Sequence, residues 1–266
     1  MISNYSTVRC FFQPSGNVSS AQNCNINLFY AESKNLDYDL LKRYISEDEA
    51  KRASLFHSAD DRRTYTCCHA ILRLVLSGKL LTAASEITIS KEKNNKPYVA
   101  GSPFHFNISH TRSAFAIAVS DQYTGIDLEN IDRRLDMKSI LHSTFGTHER
   151  TFITQDQSSE RERFFLLWTR KEAFLKAIGV GIIHHLRKIK VAEECNVINR
   201  NAVAGELEDR ICDEHFIYSM RISDNILSVA TPNEADVKLD VIDESNFGYM
   251  FSDQLNFSID SAVRGI

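Results

Sequence analysis

Gly125-Ile126-Asp127-Leu128-Glu129 alternates like a strand. Successive strand side chains point to opposite faces, so Asp127 and Glu129 project together while Ile126 and Leu128 enter a core. Two carboxylates side by side repel unless a cation or a proton lies between them. A hard divalent ion such as magnesium, which prefers oxygen ligands, resolves that conflict. A half-exposed strand with a solvated acidic face has the same pattern. Just upstream, Phe115, Ile117 and Val119 form one face of another strand with alanines opposite. The turn-like 121–125 makes the two a β-hairpin on this reading.

Further upstream, 104–108 alternates like a strand and leads into Phe106-Asn107-Ile108-Ser109-His110. His110 stands in a polar cluster where it could hydrogen-bond a phosphate, or serve as a structural turn histidine. Downstream lies Trp168-Thr169-Arg170-Lys171-Glu172-Ala173-Phe174-Leu175-Lys176. Trp168, Glu172 and Lys176 recur every fourth residue and share one stripe of a helix. Glu172 could give a third carboxylate to a metal or accept a proton from an attacking hydroxyl. Lys176, one turn on, could meet phosphate oxygens. An ordinary Glu–Lys pair on a helix surface fits the same spacing.

Around these segments the chain alternates strands and helices. Residues 1–24 are rich in Ser, Asn and Gln and read as a loose arm. Residues 26–30 suggest a strand. Ser46 with Glu49, and Ser159 with Glu162, have capping-box spacing. Ser58 with Asp61 marks another helix start, and Gly78 stands where a C-cap is expected. Gly179 stops the helix that holds Trp168. Strand-like patterns return at 188–191, 217–222 and 226–230. The order strand, helices, strands therefore occurs twice. The expected fold is α+β, two similar halves over 25–122 and 123–233, with an acidic, weakly patterned tail over 234–266.

With 43% hydrophobic and 25% charged residues over 266 positions, the composition is that of a soluble globular protein with a real core. A formal net charge of −4 argues against a general nucleic-acid binder. No apolar run approaches the roughly 20 residues that span a bilayer, and no signal peptide is visible. The six cysteines are scattered or adjacent, without a CxxC, which points to reduced thiols in a cytoplasmic protein and away from zinc.

Taken in order, the Asn-x-Ser-His element, Gly-x-Asp-x-Glu and Trp-x-x-Lys-Glu-Ala-x-x-Lys resemble the 4′-phosphopantetheinyl transferase superfamily. The likeness is to its surfactin-synthetase-activating (Sfp-like) type, with both halves in pseudo-twofold arrangement in one chain. It covers roughly residues 25–232. It implies that Asp127, Glu129 and Glu172 bind Mg2+ against the pyrophosphate of coenzyme A. Glu172 is then also the candidate base, and Lys176 neutralises phosphate charge. By the same resemblance His110, with Ser109 beside it, and Arg63 contact the 3′-phosphate of the coenzyme. Lys96 and Pro97 match a Gly-Lys-Pro loop near the adenine, with Asn95 in place of the glycine. Arg52 aligns loosely with a basic position of the family.

The implied reaction is transfer of the 4′-phosphopantetheine arm to a serine of an apo acyl or peptidyl carrier protein in fatty acid, polyketide or nonribosomal peptide synthesis. Two fused halves could supply the interface that shorter relatives make by assembling, so a monomer is expected. Two other functions stay open: a non-catalytic module that binds coenzyme A or carrier protein, and another metal-dependent phosphate enzyme. The second lacks support from a GxxxxGK[ST] phosphate loop, which is absent.

Overall fold

A computed structural model of the chain describes residues 8–11, 24–92, 95–179, 186–191, 197–199 and 214–255. The first strand, β1 (Val8–Phe11), lies within the stretch read as a loose arm, and β2 (Cys24–Glu32) contains the strand expected at 26–30. Three helices follow: α1 (Tyr38–Leu41), α2 (Glu47–Ser54) and α3 (Ala59–Leu80). At α2 the expected capping box forms, with the Glu49 amide on Ser46 Oγ at 3.2 Å and the Ser46 amide on Glu49 Oε2 at 2.8 Å. Ser58 opens α3 as expected, accepting from the Asp61 amide. The helix does not stop at Gly78. It continues to Leu80 and ends at Leu81, which takes the left-handed φ of 53°. One interior glycine costs a helix about 1 kcal/mol, less than the packing of the buried Leu74, Leu76 and Ser77 supplies.

A two-stranded ribbon pairs β3 (Ile89–Lys91) with β4 (Pro97–Val99). Asn95, in its turn, has φ 65°. Asparagine tolerates that region better than most residues, so the residue that replaces a glycine still makes a turn. Next come β5 (His105–His110), β6 (Ala114–Ser120) and β7 (Gly125–Asn130). The expected β6–β7 hairpin is not formed. β7 pairs with a later strand, and β6, buried along its whole length, lies between β2 and β5. A strand buried on both faces needs neighbours at both edges, and β2 and β5 provide them.

The remaining elements are α4 (Met137–Thr144), α5 (Thr147–Thr154), α6 (Glu160–Ala177), β8 (Val197–Asn199), β9 (Glu214–Ile222), β10 (Asn225–Thr231), β11 (Ala235–Val241) and α7 (Glu244–Met250). The expected capping box at the start of α6 is absent. Ser159 Oγ instead donates to Asp156 Oδ2 at 2.7 Å and accepts from Arg163, while Glu162 pairs with Arg221. Gly179 stops α6 as expected, with φ 70°. The stretch 188–191, read as strand-like, forms no strand: Lys188 closes a 3-10 turn over Leu186–Lys188, and 189–191 are irregular. The acidic stretch after 234 contributes β11 and α7, the latter capped by Asp243.

One sheet has the order β1-β9-β10-β7, with β8 also on β9, and these pairings are antiparallel. A second sheet has the order β11-β2-β6-β5. The α+β class read from the sequence is the class of the structure. The described residues fall into two compact units. One takes those in 1–27, 104–109 and 118–238, the other those in 28–103, 110–117 and 239–266. In the first unit Phe145, Phe164, Phe165, Phe174, Ile217 and Ile226 build a core around α6. Among the described residues no helix is long and apolar enough to cross a membrane.

In the second unit Arg73, 4% exposed, ties α2 to α3 and the loop beyond. Its Nε donates to Glu49 Oε2 at 2.7 Å, and its Nη1 donates to the carbonyls of Ala84 and Ile87. His69 Nδ1 lies 3.0 Å from Glu49 Oε1. Burial alone raises the Glu49 carboxyl, but hydrogen bonds from His69, Arg73 and the Ser46 amide outweigh it and hold the group down at about 2. A carboxyl depressed on folding stabilises the fold fully above its ordinary value near 4.5 and loses that effect as pH falls toward 2. Glu49→Gln is therefore expected to flatten the acid side of a urea-midpoint curve between those values. An unchanged acid limb would contradict the assignment.

Candidate active site

The site begins with a close approach. α6 crosses β7 at Gly125, where a Cβ would collide with the Ala173 carbonyl oxygen and the Ala177 amide and stand 2.7 Å from the Lys176 carbonyl carbon. Glycine is required there by space alone. Asp127 and Glu129 lie two and four residues along the same strand face, and α6 supplies Glu172 and Lys176 opposite them.

Among the described residues β7 is an edge strand, paired with β10 on one side only. Its outward amides are met by side chains of β5. The Ile126 amide donates to Asn107 Oδ1 at 2.8 Å, and the Leu128 amide donates to Ser109 Oγ at 3.1 Å. Buried backbone amides need partners, and Asn-x-Ser at strand spacing places two acceptors in step with alternate amides. The Ser109 hydroxyl also donates to Asp127 Oδ1 at 3.1 Å and accepts from Lys176 Nζ at 3.2 Å. Its one donor and two acceptor positions are thereby filled. Lys176 Nζ further reaches Asp127 Oδ1 at 2.7 Å and the Ile126 carbonyl at 3.0 Å.

The structure thus brings Ser109, Asp127 and Lys176 into direct contact and sets Glu129 and Glu172 within their field. Burial, then the Asp127 carboxylate, pushes the Glu172 carboxyl up to about 7, with Lys176 opposing. Burial also raises the Glu129 carboxyl, against the pull of Arg133, whose Nη1 lies 2.5 Å from Glu129 Oε1. Asp127 Oδ2 and Glu172 Oε1 are buried with no hydrogen-bond partner. Two orphaned carboxylate oxygens among crowded acids are the donor chemistry of a hard divalent cation, and these residues fit one. Among the described residues, however, no three acidic, histidine or cysteine side chains form a ready-made metal site. Asp127 is drawn to Lys176, and Glu129 to Arg133.

Two motif positions do different work. Lys171, 1% exposed, points away from the acids and donates to Glu149 Oε2 at 2.8 Å and to the carbonyls of Ile189 at 2.7 Å, Thr144 at 3.0 Å and Leu186 at 3.0 Å. Glu149 in turn accepts from the Gly146 and Val191 amides. Trp168 stacks on Phe164 against the core. Behind Asp127, Thr169 joins Ser228 at 2.8 Å, Ser228 joins Ser219 at 2.9 Å, and Arg170 donates to Ser219 at 3.1 Å. This polar stripe and the amide-capping role of Asn107 escape a reading by motif, because they depend on which strands become neighbours.

Residues 123–229 match the family model described as 4′-phosphopantetheinyl transferase superfamily, and residues 32–122 match the one described as 4′-phosphopantetheinyl transferase, N-terminal. The chain belongs to the 4′-phosphopantetheinyl transferase superfamily. The two matches lie side by side, and the one over 123–229 contains Gly125, Asp127, Glu129, Glu172 and Lys176. Over 154 residues the chain is 33% identical to the 4′-phosphopantetheinyl transferase HetI of Nostoc, covering 56% of this chain and 65% of that protein. It is 32% identical to psf-1 of Bacillus pumilus over 55% of this chain and 63% of that one. With Sfp of Bacillus subtilis the identity is 26%, over 52% and 62%. The chain spans under two thirds of the length of each of these relatives.

The other residues that the superfamily resemblance singles out, Arg63, Lys96, Pro97 and His110, belong to the second unit. Arg63 donates from Nε to the Ser33 carbonyl at 2.8 Å and from Nη2 to the Leu36 carbonyl at 2.5 Å, and lies over the Tyr38 ring. His110, at the end of β5, is exposed. Lys96 is half-buried, and burial pulls its ammonium down to about 8. Arg52 is exposed and rests over Phe56.

Because Lys171 is a buried ion-pair member, its removal leaves Glu149 charged and unpaired, a change that costs about 3–5 kcal/mol. Lys171→Met is expected to lower the free energy of urea unfolding by that much. A loss under about 1 kcal/mol would show that the lysine serves the site and not the fold.

Proposed function

We propose that this chain transfers the 4′-phosphopantetheine arm of coenzyme A to a serine hydroxyl of an apo acyl or peptidyl carrier protein and releases 3′,5′-ADP. The observation that carries this reading is the pair of partnerless buried oxygens, Asp127 Oδ2 and Glu172 Oε1, beside the ammonium of Lys176. The names of the relatives, all 4′-phosphopantetheinyl transferases, support the reaction class.

Asp127, Glu129 and Glu172 would hold the magnesium ion, with Ser109 and Lys176 fixing the orientation of Asp127. When bound, the ion supplies counter-charge for the pyrophosphate and for the oxygen that leaves. Phosphoryl transfer asks the protein mainly for positioning and charge neutralisation. Lys176 adds a cation whose place is set by three hydrogen bonds. The serine oxygen forms the new bond to phosphorus, the bond from phosphorus to the 3′,5′-ADP oxygen breaks, and the serine proton passes to Glu172. Glu172 Oε1, buried with no hydrogen-bond partner, supports that assignment. His110 and Arg63 are assigned to the 3′-phosphate, and Lys96-Pro97 to the adenine. Ser109 is assigned to the coenzyme as well, beside Asp127 and Lys176, whose side chains it meets. We also assign the chain two halves, 25–122 and 123–233, acting as a monomer.

The test is intact mass spectrometry of an apo carrier protein incubated with the chain, coenzyme A and magnesium. A gain of one phosphopantetheine group is expected, abolished by EDTA and by Asp127→Ala and slowed roughly 10²–10⁴-fold by Glu172→Gln. Wild-type rates for Asp127→Ala would overturn the metal assignment. No gain on several unrelated carriers, with coenzyme A still bound, would favour a binding module.

The phosphate assignment has its own check. His110→Ala and Arg63→Ala are expected to weaken coenzyme A binding by about tenfold, while dephospho-coenzyme A is held as before. Equal losses for the two ligands would remove both residues from the 3′-phosphate.

A further inference from the structure

Two of the three carboxylates of the site, Asp127 and Glu129, carry a tethered cation, and the two tethers differ. Lys176 is enclosed by Asp127, Ser109 and the Ile126 carbonyl, and its side chain is 31% exposed. Arg133 is 47% exposed and, among the described residues, has one side-chain partner, Glu129 Oε1 at 2.5 Å. Glu129 itself is 15% exposed. An arginine four residues on is out of reach of a straight strand's side chain, since the strand carries the two about 13 Å apart. The turn after β7 brings it back. The Arg133 amide donates to the Asn130 carbonyl at 3.1 Å, and the Asp132 amide to Asn130 Oδ1 at 3.0 Å. From α6, Arg161 donates to the carbonyls of Ile131 at 2.9 Å and Arg133 at 2.6 Å. The Ile131 amide is held by the Asp224 carbonyl at 2.8 Å.

A backbone pinned on both sides thus aims a loosely held guanidinium at one acid of the site. Beside it, Asp127, 6% exposed, keeps an oxygen with no partner. We propose that Arg133 is a built-in competitor of the divalent cation: it occupies Glu129 while no metal is bound, and metal binding displaces it to solvent. The inference rests on the reading of Asp127, Glu129 and Glu172 as the metal site. It makes Arg133 a positioning residue that sets cation affinity. An ion pair this exposed contributes little in water, so a dication held by several carboxylates displaces it readily. The freed guanidinium then stands at the rim of the site with its charge unspent, ready for an anionic group on the incoming substrate.

The experiment is a magnesium titration without nucleotide, on the full chain, for wild type, Arg133→Gln and Arg134→Gln. Arg134 is exposed, is the next residue, and carries the same charge, so it controls for long-range electrostatics. Calorimetry reads the Kd, and the arginine Nε resonances in 15N spectra read the state of the guanidinium. The Arg133 resonance is assigned by its loss in Arg133→Gln. On saturation it is expected to move to the position of a solvated arginine, and Arg133→Gln is expected to bind magnesium about two- to fivefold more tightly than Arg134→Gln. Magnesium binding with an unmoved Arg133 resonance, or with equal Kd in the two variants, overturns the competition alone. Failure of all three proteins to bind magnesium overturns both the competition and the metal reading beneath it.

Discussion

Everything at the site depends on how near α6 comes to β7. At Gly125 there is no room for a single carbon between strand and helix, and helix axes ordinarily stand well clear of a sheet. That approach lets Lys176, on a helix, reach the Ile126 carbonyl and Asp127 on a strand. It also keeps Ala173 and Ala177 small where they meet the strand. The glycine of the Gly-x-Asp-x-Glu pattern is thus a packing residue, and the acids after it owe their company to that packing.

A site made of like charges has to be held together from outside itself. Here the support comes from neutral and cationic groups at fixed places. Asn107 and Ser109 meet the amides of an edge strand, which fixes the register of Asp127. Thr169, Ser228 and Ser219 form a satisfied chain behind it. At the far side of α6, Lys171 gathers Glu149 and three carbonyls from separate segments. The helix therefore carries catalytic candidates on one face and a structural lysine on another, from one short motif. Buried charge of this kind stabilises only when its partners are complete, and around Lys171 they are.

Local signals were legible wherever a few neighbouring residues decide the outcome. The Ser46/Glu49 box, the Ser58 start and the Gly179 stop each rest on hydrogen bonds or dihedrals within one turn, and each forms. Ser159 had the same spacing as Ser46 and failed, because Asp156 and Arg163 compete for its hydroxyl and Arg221 takes Glu162. Gly78 resembled a stop and was overridden by the packing of α3. The hairpin expected from adjacent strands β6 and β7 failed for a related reason. Alternation shows that a segment is a strand but not which strand lies beside it, and β7 found β10.

From the sequence alone came the α+β class and the family resemblance, and with that resemblance the expectation that Asp127, Glu129, Glu172 and Lys176 share a site; spacing along a strand or helix shows only which side chains share a face. Only the tertiary structure decided that Asn107 and Ser109 serve the edge of β7, that Lys171 faces away from the acids, and that Arg133 holds Glu129. Those outcomes turn on contacts between segments far apart in the chain, or on a turn pinned by Arg161, and local spacing carries no record of either.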